Sequence, residues 1–583
     1  MFAFMKNSAF SFFFLVFSSG VFGQSLSFNQ FDTIKSTHRT FGSLDTLSNS
    51  VKPFQSIFYL SPESTLLSPL ALYANHGSML SFLTIKDNQT RFSALPHLGF
   101  MYGFGAQGAQ RLHVDFQQAY RHGLLMNVSF DKNKGNGFLR NDAFSMNNFI
   151  FQLLRNGTHY SFDLNANSQS QTRSWSNGLL SSSAIPDIDL NLQAVQKENA
   201  QSSHVLNAIR YSHQWDLNKD SIRGFGIIAK HAFNESRRTY SEIDSLVQLY
   251  NHVYWNADST SDRLKERTFS NQAGVFFQQS KWSVQSLLNL RNRTWGDAYS
   301  ARNVNELWWM NQLRYAGKSF ELNHVSGLNL SGAAQGFTSL SKILWQMGKS
   351  QFSAQHDLRN ELPELMQRKY YSNNVQYDLT SLSKQWNQSL GIQLLRQVGK
   401  IELSAQYRFL QFRNVYVFDG VMGTWVNNTT ASTGFAQQAK VGVKWNYKGL
   451  QIHPSYTWTD VNHSLNFQSA HSLNVHVQWK GGVFKAKKLH MLFAGDVQYL
   501  SAFQQMTFVP QMGVFDLVHN PGTLQKGYVN ASFTTAIEVE TFRFFIRIDN
   551  IGAYWVDPSI SLLQNYPFPR MQAKIGLTWD FWN

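Results

Sequence analysis

The chain has 583 residues, of which 15% are charged and 15% aromatic, and its formal net charge is +15. An average soluble domain carries roughly 25% charged residues, so this composition favours a protein whose surface is half lipid-facing and half polar. The absence of cysteine excludes lipoprotein anchors, disulfide scaffolds, cysteine catalysis and thiolate metal sites, and dispersed Lys and Arg without a recognition motif argue against a nucleic-acid partner.

The first 23 residues have the layout of a cleaved signal peptide. Lys6 supplies a sparse positive region, and residues 9–17 form an apolar core that is too short to cross a bilayer as a helix. Compact residues at Val21 and Gly23 suit a signal peptidase. We therefore predict a signal peptide at 1–23, a mature chain that begins at Gln24, and export to the outer membrane of a Gram-negative bacterium.

Residues 24–96 do not show a barrel pattern. Their composition is mixed, and turn signals occur near Pro53 and Pro62. We predict that this segment lies in the periplasm or folds into the lumen of a barrel.

From residue 97 to the end, apolar and polar residues alternate in segments of about ten residues. The pattern is clearest at 401–409 and 473–480, and it continues to the last strand, where Trp579 and Phe581 lie on the apolar side. Strands with one lipid-facing side, one wet side and aromatic residues near their ends are typical of bacterial outer-membrane barrels. We predict an all-β, transmembrane antiparallel barrel over 97–583.

The connections between these strands alternate between short and long. The short turns are near 121–123, 155–157, 317–318, 348–349, 399–400, 448–449 and 540–541. The long polar segments are 168–202, 236–266, 360–384, 414–433, 501–525 and 554–569. Periplasmic turns are short and extracellular loops long in such barrels. The alternation predicts about 22 strands, give or take two to four.

Alternation also assigns side chains to the wet face of the predicted strands. The charged residues predicted to line the lumen are Arg111, Asp115, Glu402, Arg408, Lys440, Lys444, Lys480, Arg543, Arg547, Asp549, Lys574 and Asp580. Cations outnumber anions in this set, which favours a lumen with a weak preference for anions. An alternative of almost equal weight is that opposite charges pair across neighbouring strands and hold the wall together.

A second set of residues is predicted to form an aromatic girdle at the membrane interfaces. Its members are Trp308, Trp445, Trp458, Trp479, Trp579 and Phe581. Simple core packing is the alternative for these side chains.

Several short segments resemble a known family. They are Arg39 to Leu44 ahead of Lys52-Pro53-Phe54, His113 to Phe116, Gly137 to Asp142, and the end Trp579 to Trp582. In order and layout they resemble the putative porin family of outer membranes in Bacteroidota. The resemblance implies a barrel and a channel, but no substrate and no catalytic residues.

The sequence thus predicts a porin-like channel for passive diffusion of small hydrophilic solutes. No enzyme signature and no cofactor motif is present. Because an open barrel of this size would leak, we expect 168–202, 236–266 or the segment 24–77 to narrow it. A plugged transporter component and a scaffold that presents loops at the surface are the alternatives. Expected partners are outer-membrane lipid, lipopolysaccharide, the barrel-assembly machinery acting on the last strand, and a second copy in a homo-oligomer.

Overall fold

The computed structural model describes residues 95–582 with short internal gaps. The gaps are 121–122, 158, 181–187, 220–222, 333, 380–381, 415, 428–432, 463–468, 485–487, 506, 517, 519–523, 555–559, 561–562 and 568–569. The predicted signal peptide and all but the last two residues of the predicted segment 24–96 therefore lie outside the described residues.

Twenty-two antiparallel strands form one sheet. They are β1 (His97–Gly105), β2 (Gln110–Ala119), β3 (Leu124–Gly135), β4 (Phe144–Asn156), β5 (Tyr160–Trp175), β6 (Ala200–Lys219), β7 (Arg223–Ile243), β8 (Ser259–Gln279), β9 (Trp282–Gly296), β10 (Ala301–Ala316), β11 (Phe320–Ser331), β12 (Phe337–Met347), β13 (Ser350–Glu361), β16 (Gln385–Val398), β17 (Ile401–Arg413), β20 (Thr433–Tyr447), β21 (Leu450–Asn462), β22 (His471–Gly482), β23 (Leu489–Leu500), β28 (Tyr528–Val539), β29 (Phe542–Asp549) and β30 (Gln572–Trp582).

The sheet closes on itself. Each strand pairs with the next, and β1 pairs with β30 from His97 opposite Trp582 to Gly105 opposite Lys574. Closure leaves no free edge whose backbone groups would face lipid unpaired. The predicted antiparallel barrel and its count of 22 strands are confirmed.

The connections fall at two distinct ends. Residues 280–281, 348–349, 399–400, 448–449 and 540–541 are tight turns at what we call the short-turn end. The connections 176–199, 244–258, 362–384, 414–432, 501–527 and 550–571 lie at the opposite, long-loop end.

Several strands are longer than predicted. β7 and β8 each have 21 residues, and β6 has 20. At ~3.3 Å per residue, 21 residues span ~70 Å, whereas ~10 tilted residues cross a bilayer. The long connections predicted at 168–202 and 236–266 are therefore shorter, at 176–199 and 244–258, because the strands continue beyond the membrane.

The two faces of the wall differ as the alternation predicts. Leu403, Tyr407, Val441 and Val443 are exposed on the outward face, as lipid contact requires. Their sequence neighbours point inward, and many are Asn, Gln, Ser, Thr or charged residues.

The remaining short elements all lie within the long-loop connections. They are β14 (Lys369–Tyr371), β15 (Gln376–Asp378), β18 (Tyr416–Asp419), β19 (Thr424–Asn427), β24 (Phe503–Gln504), β25 (Thr507–Val509), β26 (Val514–Asp516), β27 (Leu524–Gln525), one-turn helices α1 (Leu246–Leu249) and α2 (Leu365–Arg368), and 3-10 turns at Leu190–Leu192 and Ile551–Tyr554. Within the described part of the chain, none of the helices has the length and apolar character needed to cross a membrane.

Candidate functional site: the lumen and its loop plug

The described residues of six long-loop connections pack together into one body, which we call the loop plug. Its connections are 176–199, 244–258, 362–384, 414–432, 501–527 and 550–571. Leu179, Met366, Phe418, Trp425 and Phe515 are all at most 7% exposed and belong to two hydrophobic clusters that cross several connections. Burial of large apolar side chains between loops stabilises a fixed arrangement of those loops.

A small four-stranded sheet forms part of the loop plug. β18 and β19 form a hairpin in one connection, and β25 and β26 form a hairpin in another. The two hairpins join through a parallel bridge between Phe418 and Asp516. Two loops that are far apart in sequence therefore share one hydrogen-bonded layer.

The loop plug sits inside the mouth of the barrel. It packs against inward-facing side chains near the ends of wall strands, among them Trp295 of β9 and Phe412 of β17. Arg238, which also points inward from β7, donates hydrogen bonds to the backbone oxygens of Pro510 and Met512. These contacts place the plug across the long-loop end of the lumen.

One buried ion pair ties the plug to the wall. Lys197 of connection 176–199 places its Nζ 3.0 Å from both carboxylate oxygens of Glu242 on β7. The hydroxyls of Tyr240 and Tyr250 also donate to Glu242. Burial lowers the pKa of Lys197 because it penalises the charged amine, and Glu242 opposes that shift; burial likewise raises the pKa of Tyr250 well above its ordinary value.

A second buried pair fixes the neighbouring connection 136–143. Arg173 of β5 donates to Asp142 at 2.9 Å, and both side chains are at most 2% exposed. Burial raises the pKa of Asp142, while the charge of Arg173 pulls it down. The amide of Asn141 reaches the backbone oxygens of Trp175 and Lys197 and thereby joins this connection to the plug.

Gly178 marks a close approach within the plug. Its φ is +85°, and a Cβ at this position would lie 2.6 Å from the backbone oxygen of Asn565. The amide of Leu179 donates to that same oxygen at 2.8 Å. Only glycine allows this left-handed backbone and this contact between connections 176–199 and 550–571.

Eight of the predicted lumen charges lie near the seam where the barrel closes. Asp580 of β30 contacts His97 of β1 at 3.1 Å, and His97 is 3.6 Å from Asp115 of β2. Arg111 pairs with Asp131 of β3 at 2.7 Å. These pairs connect the last strand with the first three.

The same pattern continues on the other side of the seam. Glu538 accepts hydrogen bonds from Lys480 and Arg543, each at 2.9 Å. Asp549 accepts from Arg547 at 2.6 Å and from Lys574. The predicted excess of cations is thus compensated here by neighbouring carboxylates.

The other four predicted lumen charges lie together on β17 and β20. Glu402 is directly opposite Lys444, and Lys440 is opposite Gln406. Arg408 lies two residues beyond Gln406 on the same inward face of β17. This group contains three cations and one anion and lies on other strands than the charges at the seam.

Three carboxylates at the seam were not among the predicted lumen residues. Asp131, Asp496 and Glu538 all face inward and all contact predicted cations. Alternation would have placed them on the wet face. The pairing itself depends on the register between strands, which one strand does not reveal.

The predicted aromatic girdle needs one correction. Trp308 is 2% exposed and points inward, where its indole donates to Glu306 at 3.2 Å. Its neighbour Trp309 is the outward residue, with 45% of its surface exposed. Both neighbours of this pair in the strand pattern are apolar, at Leu307 and Met310, so the sequence did not distinguish the two faces.

The other predicted girdle residues lie on the outward face. Trp479, Trp579 and Phe581 are 39–43% exposed, and Trp445 and Trp458 are partly exposed. The rings of Trp579 and Phe581 stack with centroids 4.5 Å apart at the short-turn end.

Comparison with known proteins identifies a family. Residues 25–583 match the family model described as Putative porin. No curated protein matches the sequence.

Solved structures share the fold at low sequence identity. The FrpB iron transporter of Neisseria meningitidis has a TM-score of 0.58 and 10% identity, covering 84% of this chain and 83% of that one. The siderophore receptor PirA of Acinetobacter baumannii has a TM-score of 0.58 and 9% identity, covering 85% and 81%. The copper transporter OprC has a TM-score of 0.60 and 8% identity, covering 85% and 82%.

Proposed function

The chain belongs to the putative porin family, and from this premise we propose that it is an outer-membrane channel for passive diffusion of small hydrophilic solutes. The loop plug would narrow its extracellular mouth. The observation that carries the proposal is the wall itself, which is apolar outside and lined inside by polar and charged side chains. Such a wall separates lipid from water, and neither the family nor the fold supplies a reacting group.

The size of the barrel explains why a plug is needed. With 22 strands spaced ~4.8 Å apart and tilted ~40°, the backbone has a radius of about 20 Å. An unobstructed lumen of that width would pass many metabolites and small proteins. The sequence predicted an inward fold of 168–202, of 236–266 or of the segment 24–77. The first two of these contain the plug connections 176–199 and 244–258, which four further connections join. Solutes would therefore pass between the packed loops or only when the loops move.

We further propose that selectivity depends on the charges of β17 and β20. Lys440, Lys444 and Arg408 point inward from β17 and β20, where Glu402 is the one anion among the predicted lumen charges. A local excess of cations along a pore favours anions. The preference should be weak because the group covers one side of the wall.

A plugged transporter component is the second candidate. The solved structures that share the fold include proteins described as iron and copper transporters. In this reading the loop plug would be closed at rest, and it would open only when a partner or a substrate moved it. A loop-presenting scaffold is less favoured because the long connections pack into the mouth and bury their apolar side chains.

Single-channel recording in a planar bilayer separates these candidates. We expect the purified protein to open in steps, and a variant in which a short Gly-Ser linker replaces 416–427 should conduct more, because it lacks one hairpin of the plug sheet. A Gly-Ser replacement of the short-turn connection 483–488 is the matched control and should behave as wild type. Silence of both wild type and plug variant would contradict a diffusion channel, and a silent wild type with a conducting plug variant would favour the transporter.

The predicted segment 24–96 gives a second route to the same question. If it folds into the lumen, removal of 25–94 behind the predicted signal peptide should raise conductance further in the plug variant. If it lies in the periplasm, removal should leave single-channel conductance unchanged.

A further inference from the structure

A compact group of basic residues lies on the outward face of β7 and β8. Arg237, Arg263, Lys265 and Arg267 share this face with one carboxylate, Glu235. We call these five residues the cation patch. On each strand they lie an even number of residues from exposed apolar side chains, which are Phe225 and Ile227 on β7 and Phe269, Val275 and Phe277 on β8. The five residues therefore point away from the lumen.

The strand register brings the patch together. Glu235 is opposite Arg267, Arg237 is opposite Lys265, and Thr239 is opposite Arg263. Directly opposite residues on paired strands have Cβ atoms ~5 Å apart. Four cations therefore occupy three consecutive rows of two neighbouring strands.

The patch keeps a net positive charge after its internal pairing. Glu235 is 3.0 Å from Lys265 and 3.5 Å from Arg267. Among the described residues, no ion pair involves Arg237 or Arg263, and both side chains are exposed. Clustered like charges on a surface raise the electrostatic energy unless an anion binds there.

The height of the patch matches a membrane boundary. Ten residues separate Phe225 from Glu235, which is ~33 Å along the strand and ~25 Å along the barrel axis at a tilt of ~40°. The apolar band of an outer-membrane barrel is ~25 Å tall. The cations therefore begin where the hydrocarbon ends on the long-loop side.

An apolar surface for acyl chains lies directly below the patch. Phe233 of β7 is opposite Phe269 of β8, and Phe269 is 48% exposed. At the level of the patch, the flanking strands contribute uncharged residues to the outward face, Val205 on β6 and Thr294 on β9. The nearest outward cations along the same row, Lys132 and Lys134, are four strands away, or ~19 Å.

We propose that the cation patch binds the phosphate groups of an outer-leaflet lipid, of the phosphorylated class to which lipopolysaccharide belongs. Arg forks match phosphate oxygens in geometry and charge, and the patch presents three of them beside an exposed aromatic surface. A single lipid can place its phosphate on the cation patch and its acyl chains against the apolar surface at Phe233 and Phe269. A soluble anion would use only the first.

The test is a binding measurement on the full-length protein purified in mild detergent and stripped of lipid. Diphosphoryl lipid A is titrated and bound lipid is counted by native mass spectrometry. We expect the variant R237Q/R263Q/R267Q to bind at least tenfold more weakly than wild type, and R237Q alone to bind a few-fold more weakly. Lipid A without its phosphates should also bind wild type at least tenfold more weakly.

The control removes the same number of charges at the other end of the barrel. The variant K318Q/K349Q/R396Q changes three exposed cations near the short-turn end and should bind lipid A as wild type does. An electrophoretic mobility shift on heating shows that each variant is folded. Equal affinity of wild type and R237Q/R263Q/R267Q would overturn the proposal, as would an equal loss in the control or displacement of lipid by millimolar inorganic phosphate.

Discussion

Replacement of Lys197 by Met should loosen the loop plug without opening the barrel wall. Lys197 is 5% exposed and Glu242 is 1% exposed, so the variant leaves a buried carboxylate with only two tyrosine hydroxyls as partners. Removal of one member of a buried pair typically costs ~3–5 kcal/mol. We take ~3 kcal/mol because the hydroxyls remain, which corresponds to roughly a hundredfold shift toward the detached loop.

The loss of stability affects connection 176–199, because Glu242 belongs to the wall and Lys197 to the plug. Two measurements should report it. Backbone amides of 188–199, such as that of Lys197 bonded to the carbonyl of Ser176 at 2.8 Å, should exchange with solvent roughly a hundredfold faster. Single-channel records should show more frequent openings at unchanged salt.

Two further variants make this prediction refutable. Lys197→Met combined with Glu242→Gln removes both charges and should restore most of the protection, since no uncompensated charge remains. Arg140→Gln breaks the exposed pair with Glu198, 3.2 Å long and about half accessible to solvent, and should change almost nothing. Unchanged exchange in Lys197→Met, or an equal effect in Arg140→Gln, would show that the buried pair does not hold the plug.

Three other outcomes are expected. Gly178→Ala should detach connections 176–199 and 550–571 from each other because its Cβ would collide with a backbone oxygen, and limited proteolysis of 188–199 should become faster; unaltered cleavage would contradict this. Neutralising Lys440 and Lys444 to Gln should shift the reversal potential in a KCl gradient toward cation preference, and no shift would remove these residues from the selectivity argument. Trp309→Phe should abolish part of the tryptophan quenching by brominated lipid, whereas Trp308→Phe should leave quenching intact; the reverse result would contradict the faces assigned to the two side chains.

The sequence predicted the wall of this barrel well because the wall depends on a local pattern. Period-two alternation and the parity of the connections gave 22 strands and their direction, since each feature is contained in one strand and its two turns. The positions of the strand ends were predicted less accurately. Residues 168–175 and 236–243 are mostly polar on both faces above the membrane, so their Ser, Gln, Thr and Arg content resembles that of a loop.

Features that depend on contacts between distant parts of the chain could not be predicted from the sequence. The ion pairs of Arg111 with Asp131 and of Arg543 with Glu538 require the register between strands, and the loop plug requires contacts between connections hundreds of residues apart. The choice between Trp308 and Trp309 failed for a different reason, because Leu307 and Met310 on either side of the pair are both apolar and alternation did not distinguish the two faces.

The parallel bridge between Phe418 and Asp516 imposes an order on assembly. Its two hairpins are separated by strands β20 to β23, so the bridge forms only after those wall strands have paired and brought the two connections to the same end. Loop closure over such a separation is slow compared with hairpin formation. The newly inserted barrel should therefore pass through a stage in which β20 to β23 are paired and its mouth is still open.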